Sequence, residues 1–237
     1  MLKISIAGII VEINNKYPTI EKLSVDYLSD GVPDFSVCAT DEEIEREGLG
    51  LSDDFTPGEL ESIAIYRKIA LNLSEYSAFV FHGAAVEVGG VAYIFTAKSG
   101  VGKTTHVRLW LKKFGKEASV LNGDKPIIRI INGEPFVAGT PWRGKEGYGR
   151  PGLVPIAGVA LLERASENFA RPVSVDDALV RFLTQAYVPR HDARAASKTV
   201  AIISEVLAKI PIITLGCNMK DEAADVAYSA FLKVPHN

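Results

Sequence analysis

The chain has 237 residues, 47% hydrophobic and 23% charged, which suits an ordinary globular protein with a sizeable core in one large domain or two small ones. A formal net charge of −3 leaves no basic excess to track a phosphate backbone, so nucleic acid is not an expected partner. Cys38 and Cys217 lie far apart and the histidines lack metal-ligand spacing, so neither a disulfide framework nor a zinc site is indicated and the cytosol is the expected compartment.

In chain order, the apolar run 1–11 is interrupted by Lys3, followed by Glu12 and lacks a small-residue cleavage site, so it reads as an opening strand rather than a signal peptide. No apolar stretch reaches the roughly 18–20 residues needed to span a bilayer, and no membrane is expected. A strand-like segment at 35–39 precedes an acidic stretch at 41–47, read as a solvated surface. Thr56-Pro57-Gly58-Glu59 then opens a helix with a capping Thr, Pro at the first helical position and Glu at the third. Residues 1–75 are expected to extend the sheet of the remainder, 76–237, without folding independently.

The second part starts with strands at 78–81 and 85–88. Gly89-Gly90 turns the latter back into a strand at 91–95, making a hairpin. That strand runs into the loop 97–104, Ala-Lys-Ser-Gly-Val-Gly-Lys-Thr. Val107, Trp110, Leu111 and Phe114 follow at helical spacing before Gly115. Further on come a strand at 119–122, a hairpin around Asn132-Gly133 and an apolar strand at 159–162. Helices open at Ser174, span 198–210 and follow Asn218, with a short buried strand at 212–215. The fold class is therefore α/β, a mixed sheet with a glycine-rich strand–loop–helix unit.

That unit matches the phosphate-binding pattern G-x-x-x-x-G-K-[ST] except that Ala97 stands at the first glycine. In such loops successive N–H groups point at phosphate oxygens from a helix N-terminus. Ser99, Gly100, Val101, Gly102, Lys103, Thr104 and Thr105 are the candidate nucleotide contacts. Lys103 would meet the β- and γ-phosphates of ATP and the Thr104 hydroxyl would hold Mg²⁺. No dinucleotide pattern G-x-G-x-x-G is present.

Phosphoryl transfer also needs an acid to hold the metal or take the proton of the attacking hydroxyl. Asp124, following the strand 119–122, is the first candidate, with an Asx-type turn residue as the alternative. The segment 139–150 combines glycines, charges and aromatics: Arg143 or Arg150 would steady the transferred group, Lys145 an anion, and Glu146 would join the Mg²⁺ shell, a solvated surface loop being the alternative. His82 is a candidate acid/base or phosphate contact, and Arg190 a candidate anion contact.

Phe81-His82-Gly83, the Gly-Gly hairpin, the loop 99–104 and the strand ending in Asp124 resemble the C-terminal kinase domain of HPr kinase/phosphorylase, within the wider group similar to the nucleotide domain of phosphoenolpyruvate carboxykinases. The resemblance covers residues 78–163, with a Gly-Thr-Pro-Trp stretch at 139–142 shared with HPr-kinase-like proteins. It implies an ATP- and Mg²⁺-dependent kinase in which Lys103 and Thr104 take the phosphate and metal roles, Asp124 a catalytic or metal role, and His82 matches the family histidine. The family has two adjacent acids where this chain has Gly123-Asp124, and the N-terminal part does not resemble its regulatory domain. The expected acceptor is accordingly a hydroxyl on a small molecule, peptide or protein rather than HPr itself. A non-catalytic nucleotide-binding switch or accessory protein is the alternative, and a carboxykinase-like lyase a weaker one; a homo-oligomer stays open.

Overall fold

A computed structural model describes residues 1–50, 54–98 and 100–233. The opening apolar run is two strands rather than one. β1 (Leu2–Ile6) and β2 (Ile9–Asn14) pair antiparallel around Ala7-Gly8, whose φ of 54° and 71° make the tight turn that suits strand twist. After the short helix α1 (Thr19–Leu23), β3 (Phe35–Cys38) adds parallel to β2. The acidic stretch is the capped helix α2 (Asp41–Gly48), with Ile44 as its buried residue. Helix α3 (Pro57–Asn72) begins in the Thr56/Glu59 capping box.

The sequence led us to expect these first strands to extend the main sheet; instead they form a three-stranded sheet of their own. The reason lies in their patterning. Ile9, Val11 and Ile13 are buried while Ile10 and Glu12 between them are only partly so, a one-sided alternation. The buried face shares a core with Ile65 and Ile69 of α3.

The remainder follows as β4 (Ala78–Val80), β5 (Ala84–Val88), β6 (Val91–Thr96), α4 (Lys103–Phe114), β7 (Ala118–Asn122), β8 (Ile127–Ile131), β9 (Glu134–Ala138), β10 (Leu153–Arg164), β11 (Phe169–Pro172), α5 (Val175–Gln185), α6 (Ala193–Leu207), β12 (Ile212–Cys217) and α7 (Glu222–Lys233). The strands form one mixed sheet in the order β4-β8-β9-β10-β6-β5-β7, with β12 on β10 and β11 on β12. Gly89-Gly90 and Asn132-Gly133 turn the two expected hairpins with positive φ throughout.

β10 is where the sheet divides. Its first residues pair antiparallel with β9; from Ile156 it runs parallel to β6, and from Val159 to β12 as well. The carboxyl ends of β6, β10 and β12 therefore open toward the same side. Along β6, Ile94 points into a core shared with Phe182 and Ile203 of α5 and α6, and Phe95 into one shared with Trp110 and Phe231 of α4 and α7. Coverage on both faces explains the unbroken apolar run of β6. Among the described residues no helix is long and apolar enough to cross a membrane.

Candidate active site

β6 ends at Thr96, and the chain turns through Ala97 and the glycines into α4. Gly100 and Gly102 hold φ of 78° and 125°, a region that side chains disfavour. Ala97 stays out of that region and is buried, so the missing first glycine is accommodated by ordinary backbone. Gly102 caps α4, and its carbonyl accepts from His106 N at 2.9 Å. The first N–H groups of a helix have no intrahelical acceptor, so Lys103, Thr104 and Thr105 present donors at the positive end of the helix dipole. Ser99 lies outside the described residues.

Lys103 folds back over this loop. Its Nζ donates to the Ala97 carbonyl at 3.1 Å and lies 3.1 Å from His82 Nε2. Burial holds the ammonium below its ordinary pKa, with the Asp124 carboxylate acting in the opposite direction. His82 is fixed from behind: its Nδ1 is 2.8 Å from Gln185 Oε1, and its backbone N donates to the Gln185 carbonyl at 2.8 Å. Its Nε2 also stands 3.5 Å from Asp124 Oδ1. The His82 ring, followed by Lys125 and Lys103, holds the Asp124 carboxyl below the usual carboxylate range against the effect of burial. Nε2 offers one position only: protonated it donates to Asp124, unprotonated it accepts from Lys103.

Asn122 organises the turn that presents Asp124. Fully buried, it accepts from the backbone N of Asp124 at 2.9 Å and of Lys125 at 2.7 Å, and donates to Thr140 Oγ1 at 2.9 Å. The Asx-type turn read as an alternative role for Asp124 thus belongs to Asn122, leaving the Asp124 carboxylate to face His82. Helix α3 braces the same region: Tyr66 OH donates to the Lys125 carbonyl at 3.0 Å and its ring stacks on Trp142 at 4.2 Å, while Trp142 Nε1 donates to Ser62 Oγ at 3.0 Å.

His82, Gly100, Gly102, Lys103, Thr104, Thr105, Asp124, Arg143 and Glu146 all line one cavity of about 520 Å³. Val101 does not; it borders two neighbouring cavities. Arg143 reaches the cavity wall with its guanidinium turned to Asp26, at 2.6 Å, and set over the Tyr27 ring. Glu146 accepts from Arg108 Nη2 at 2.7 Å. Lys145 and Tyr148 line the cavity too, whereas Arg150 pairs with Glu87 across the sheet and Arg190 is exposed elsewhere. Among the described residues no three His, Cys, Asp or Glu side chains gather as a metal cluster. Thr104 with Asp124 still fits Mg²⁺, which takes one or two carboxylates and fills its octahedron with phosphate oxygens and water.

Gly123, where a second acid is expected from the resemblance, is hemmed in: a Cβ there would lie 3.1 Å from the Arg143 carbonyl oxygen and 3.3 Å from that of Tyr148. Its own N–H donates to the latter at 2.9 Å. Gly123→Asp is therefore expected to destabilise the protein by about 1–3 kcal/mol, because the loop 143–148 must move to admit a side chain. Urea unfolding measures this; an unchanged midpoint would show that the loop yields freely.

Gln185, Asn122, Tyr66, Arg108 and Asp26 were not among the candidates from sequence. Gln185, Tyr66, Arg108 and Asp26 act through hydrogen bonds spanning 38 to 117 positions, which no local spacing marks, whereas Asn122 turns the chain locally onto Asp124 and Lys125. No protein-family model matches the chain, and no curated protein sequence matches it. Among solved structures it is similar to the HPr(Ser) kinase/phosphatase from Coxiella burnetii, with a TM-score of 0.40 and 9% identity over 65% of this chain and 97% of that one. That is a loose likeness in overall shape, and the functional argument rests on the side chains above.

Proposed function

We propose that the chain is a kinase that binds ATP with Mg²⁺ at the glycine loop and transfers the γ-phosphoryl group to a hydroxyl. The observation that carries this reading is the convergence of Lys103, His82 and Asp124 in one cavity at the N-terminus of α4. A cation, a base and helix-terminal donors within one small space suit a polyanion with a reacting end.

On binding, Lys103 exchanges the Ala97 carbonyl and the His82 ring for the β- and γ-phosphate oxygens. That leaves His82 Nε2, 3.5 Å from the Asp124 carboxylate, without its Lys103 partner. Thr104 and Asp124 would hold Mg²⁺, which neutralises charge on the phosphate oxygens when bound. The acceptor oxygen bonds to the γ-phosphorus as the bond to the β–γ bridging oxygen breaks. ADP leaves with that electron pair, and the hydroxyl proton passes to the Asp124 carboxylate. The acceptor is a hydroxyl-bearing small molecule, peptide or protein. A non-catalytic nucleotide switch is the second reading, favoured by the close packing that leaves Gly123 without space for a second acid.

Calorimetry of Mg²⁺-ATP binding tests the proposal. Lys103→Ala is expected to weaken binding by about ten- to a hundredfold, the worth of a charge-assisted contact. Because burial lowers the Lys103 pKa and phosphate raises it again, binding at alkaline pH should take up protons, seen as heat that varies with buffer ionisation enthalpy; the uptake fades as the pH falls and the free ammonium is fully protonated, and it vanishes in Lys103→Ala. Absence of ATP binding by the wild type overturns the reading.

A further inference from the structure

We propose that the nucleoside half of the triphosphate occupies a second cavity, of about 490 Å³, between the first turns of α4 and the loops that follow β10 and β12. The inference rests on the reading that the glycine loop takes the phosphates. Gly100, Gly102 and Thr105 line both this cavity and the one holding Lys103 and Asp124, so the two join around the first turn of α4. A ligand with its γ-phosphate at Lys103 and Asp124 therefore runs out past Thr105 into this space. A third cavity, of about 410 Å³, lies beneath the loop against Arg181 and Gln185 of α5; among the described residues it shares none with the phosphate cavity.

The walls suit a flat aromatic base. Leu109 and Val101 supply apolar sides, and Met219 stands at the rim, an exposed and adaptable apolar side chain. Arg164, at the end of β10, donates to the Gly100 carbonyl and so holds a planar cation where phosphate loop and cavity meet. A guanidinium stacks on a base and reaches an α-phosphate alike. The volume falls within the roughly 300–1,000 Å³ of small-molecule sites, and the place, outside the carboxyl ends of parallel strands, is where open α/β sheets bind ligands. The site thus selects a nucleoside triphosphate over inorganic polyphosphate.

Cys217 lines this cavity, half-buried, while Cys38 is exposed on β3 in the N-terminal sheet. In Cys38→Ser protein, saturating Mg²⁺-ATP is expected to slow alkylation of Cys217 by iodoacetamide about tenfold or more, while saturating inorganic tripolyphosphate leaves the rate unchanged. The wild type should bind ATP about ten- to a hundredfold tighter than tripolyphosphate, as base stacking implies. Leu109→Trp, which fills the cavity, should bring ATP down to the affinity of tripolyphosphate and leave that of tripolyphosphate alone. Tight ATP binding with Cys217 still reactive, or with Leu109→Trp indifferent, overturns the nucleoside site and leaves the phosphate loop standing. Failure of the wild type to bind either compound overturns both.

Discussion

Asp124→Asn should lower the rate of ADP release by about 10²–10⁴-fold, the usual worth of a positioned general base, while the protein still binds ATP. Asn keeps the shape of the side chain and the hydrogen bonds its backbone makes to Asn122 and Gly83, so the turn persists. What it removes is the ionised carboxylate that takes the hydroxyl proton and would ligate Mg²⁺. Because the carboxyl titrates below the ordinary range, it is fully charged at neutral pH in the wild type, and no pH between 6 and 8 restores activity to the variant. The two effects separate in the binding data. Without Mg²⁺ the variant should bind ATP at least as well as the wild type, since a negative charge beside the phosphates is gone; with Mg²⁺ it should bind more weakly. The rate is read with water, serine, a small polyol and a serine-containing peptide as acceptors. Equal turnover by variant and wild type removes Asp124 from the chemistry, and ATP binding without ADP release in any mixture favours the switch.

The parts of the fold legible in the sequence were those with a local physical cause. Gly-Gly and Asn-Gly pairs specify tight hairpins because both residues need positive φ. The stripe through Val107, Trp110 and Phe114 specifies a helix with one buried face. The Thr56/Glu59 box formed as read. The turn at Ala7-Gly8 was hidden because Ala is not a usual left-handed residue and the apolar run continues through it. Pro155 and Gly158 concealed the first half of β10, since both argue against a strand interior; here Gly158 sits where a Cβ would lie 2.5 Å from Phe231. β11 carries mostly exposed side chains at the sheet's margin, so it left no hydrophobic pattern.

The candidate site divides in the same way. The glycine loop is contiguous in sequence, so its residues were read as one group; of these, Gly100, Gly102, Lys103, Thr104 and Thr105 line the cavity. Asp124 and His82 were legible as candidates because each ends or follows a strand, and both line the same cavity. What the sequence could not supply is what holds them: Gln185 lies 103 positions from the ring it fixes, and Asp26 lies 117 positions from Arg143. The pairing of Glu146 with Arg108 and of Arg150 with Glu87 depends on how the loop 143–150 lies on the sheet, which no periodicity encodes.

The largest loss of stability is expected from Trp110→Ala, at about 3–5 kcal/mol against the 5–15 kcal/mol that holds a typical domain folded. Trp110 is fully buried and its ring meets Tyr93, Phe95, Phe114 and Tyr228 at centroid distances of 4.8–5.9 Å. This cluster fastens α4 to β6 and α7, and hence fixes the helix end at which the glycine loop is strung. Trp110 Nε1 also donates to His106 Nε2 at 3.0 Å, and burial pushes the His106 pKa from 6.5 down to about 4. A histidine with a depressed pKa takes up its proton more readily unfolded, so its contribution is complete above pH 6.5 and is lost as the pH falls from there toward 4. The substitution opens a cavity over the ring and lets its pKa return toward 6.5, so the variant should be less stable at pH 7.5 and also flatter in its pH dependence between 6.5 and 5. Urea unfolding at pH 7.5, 6.5 and 5 reads the two effects independently. A variant within about 1 kcal/mol of the wild type would mean that α4 is held elsewhere; a large loss with an unchanged pH slope would separate His106 from the cluster.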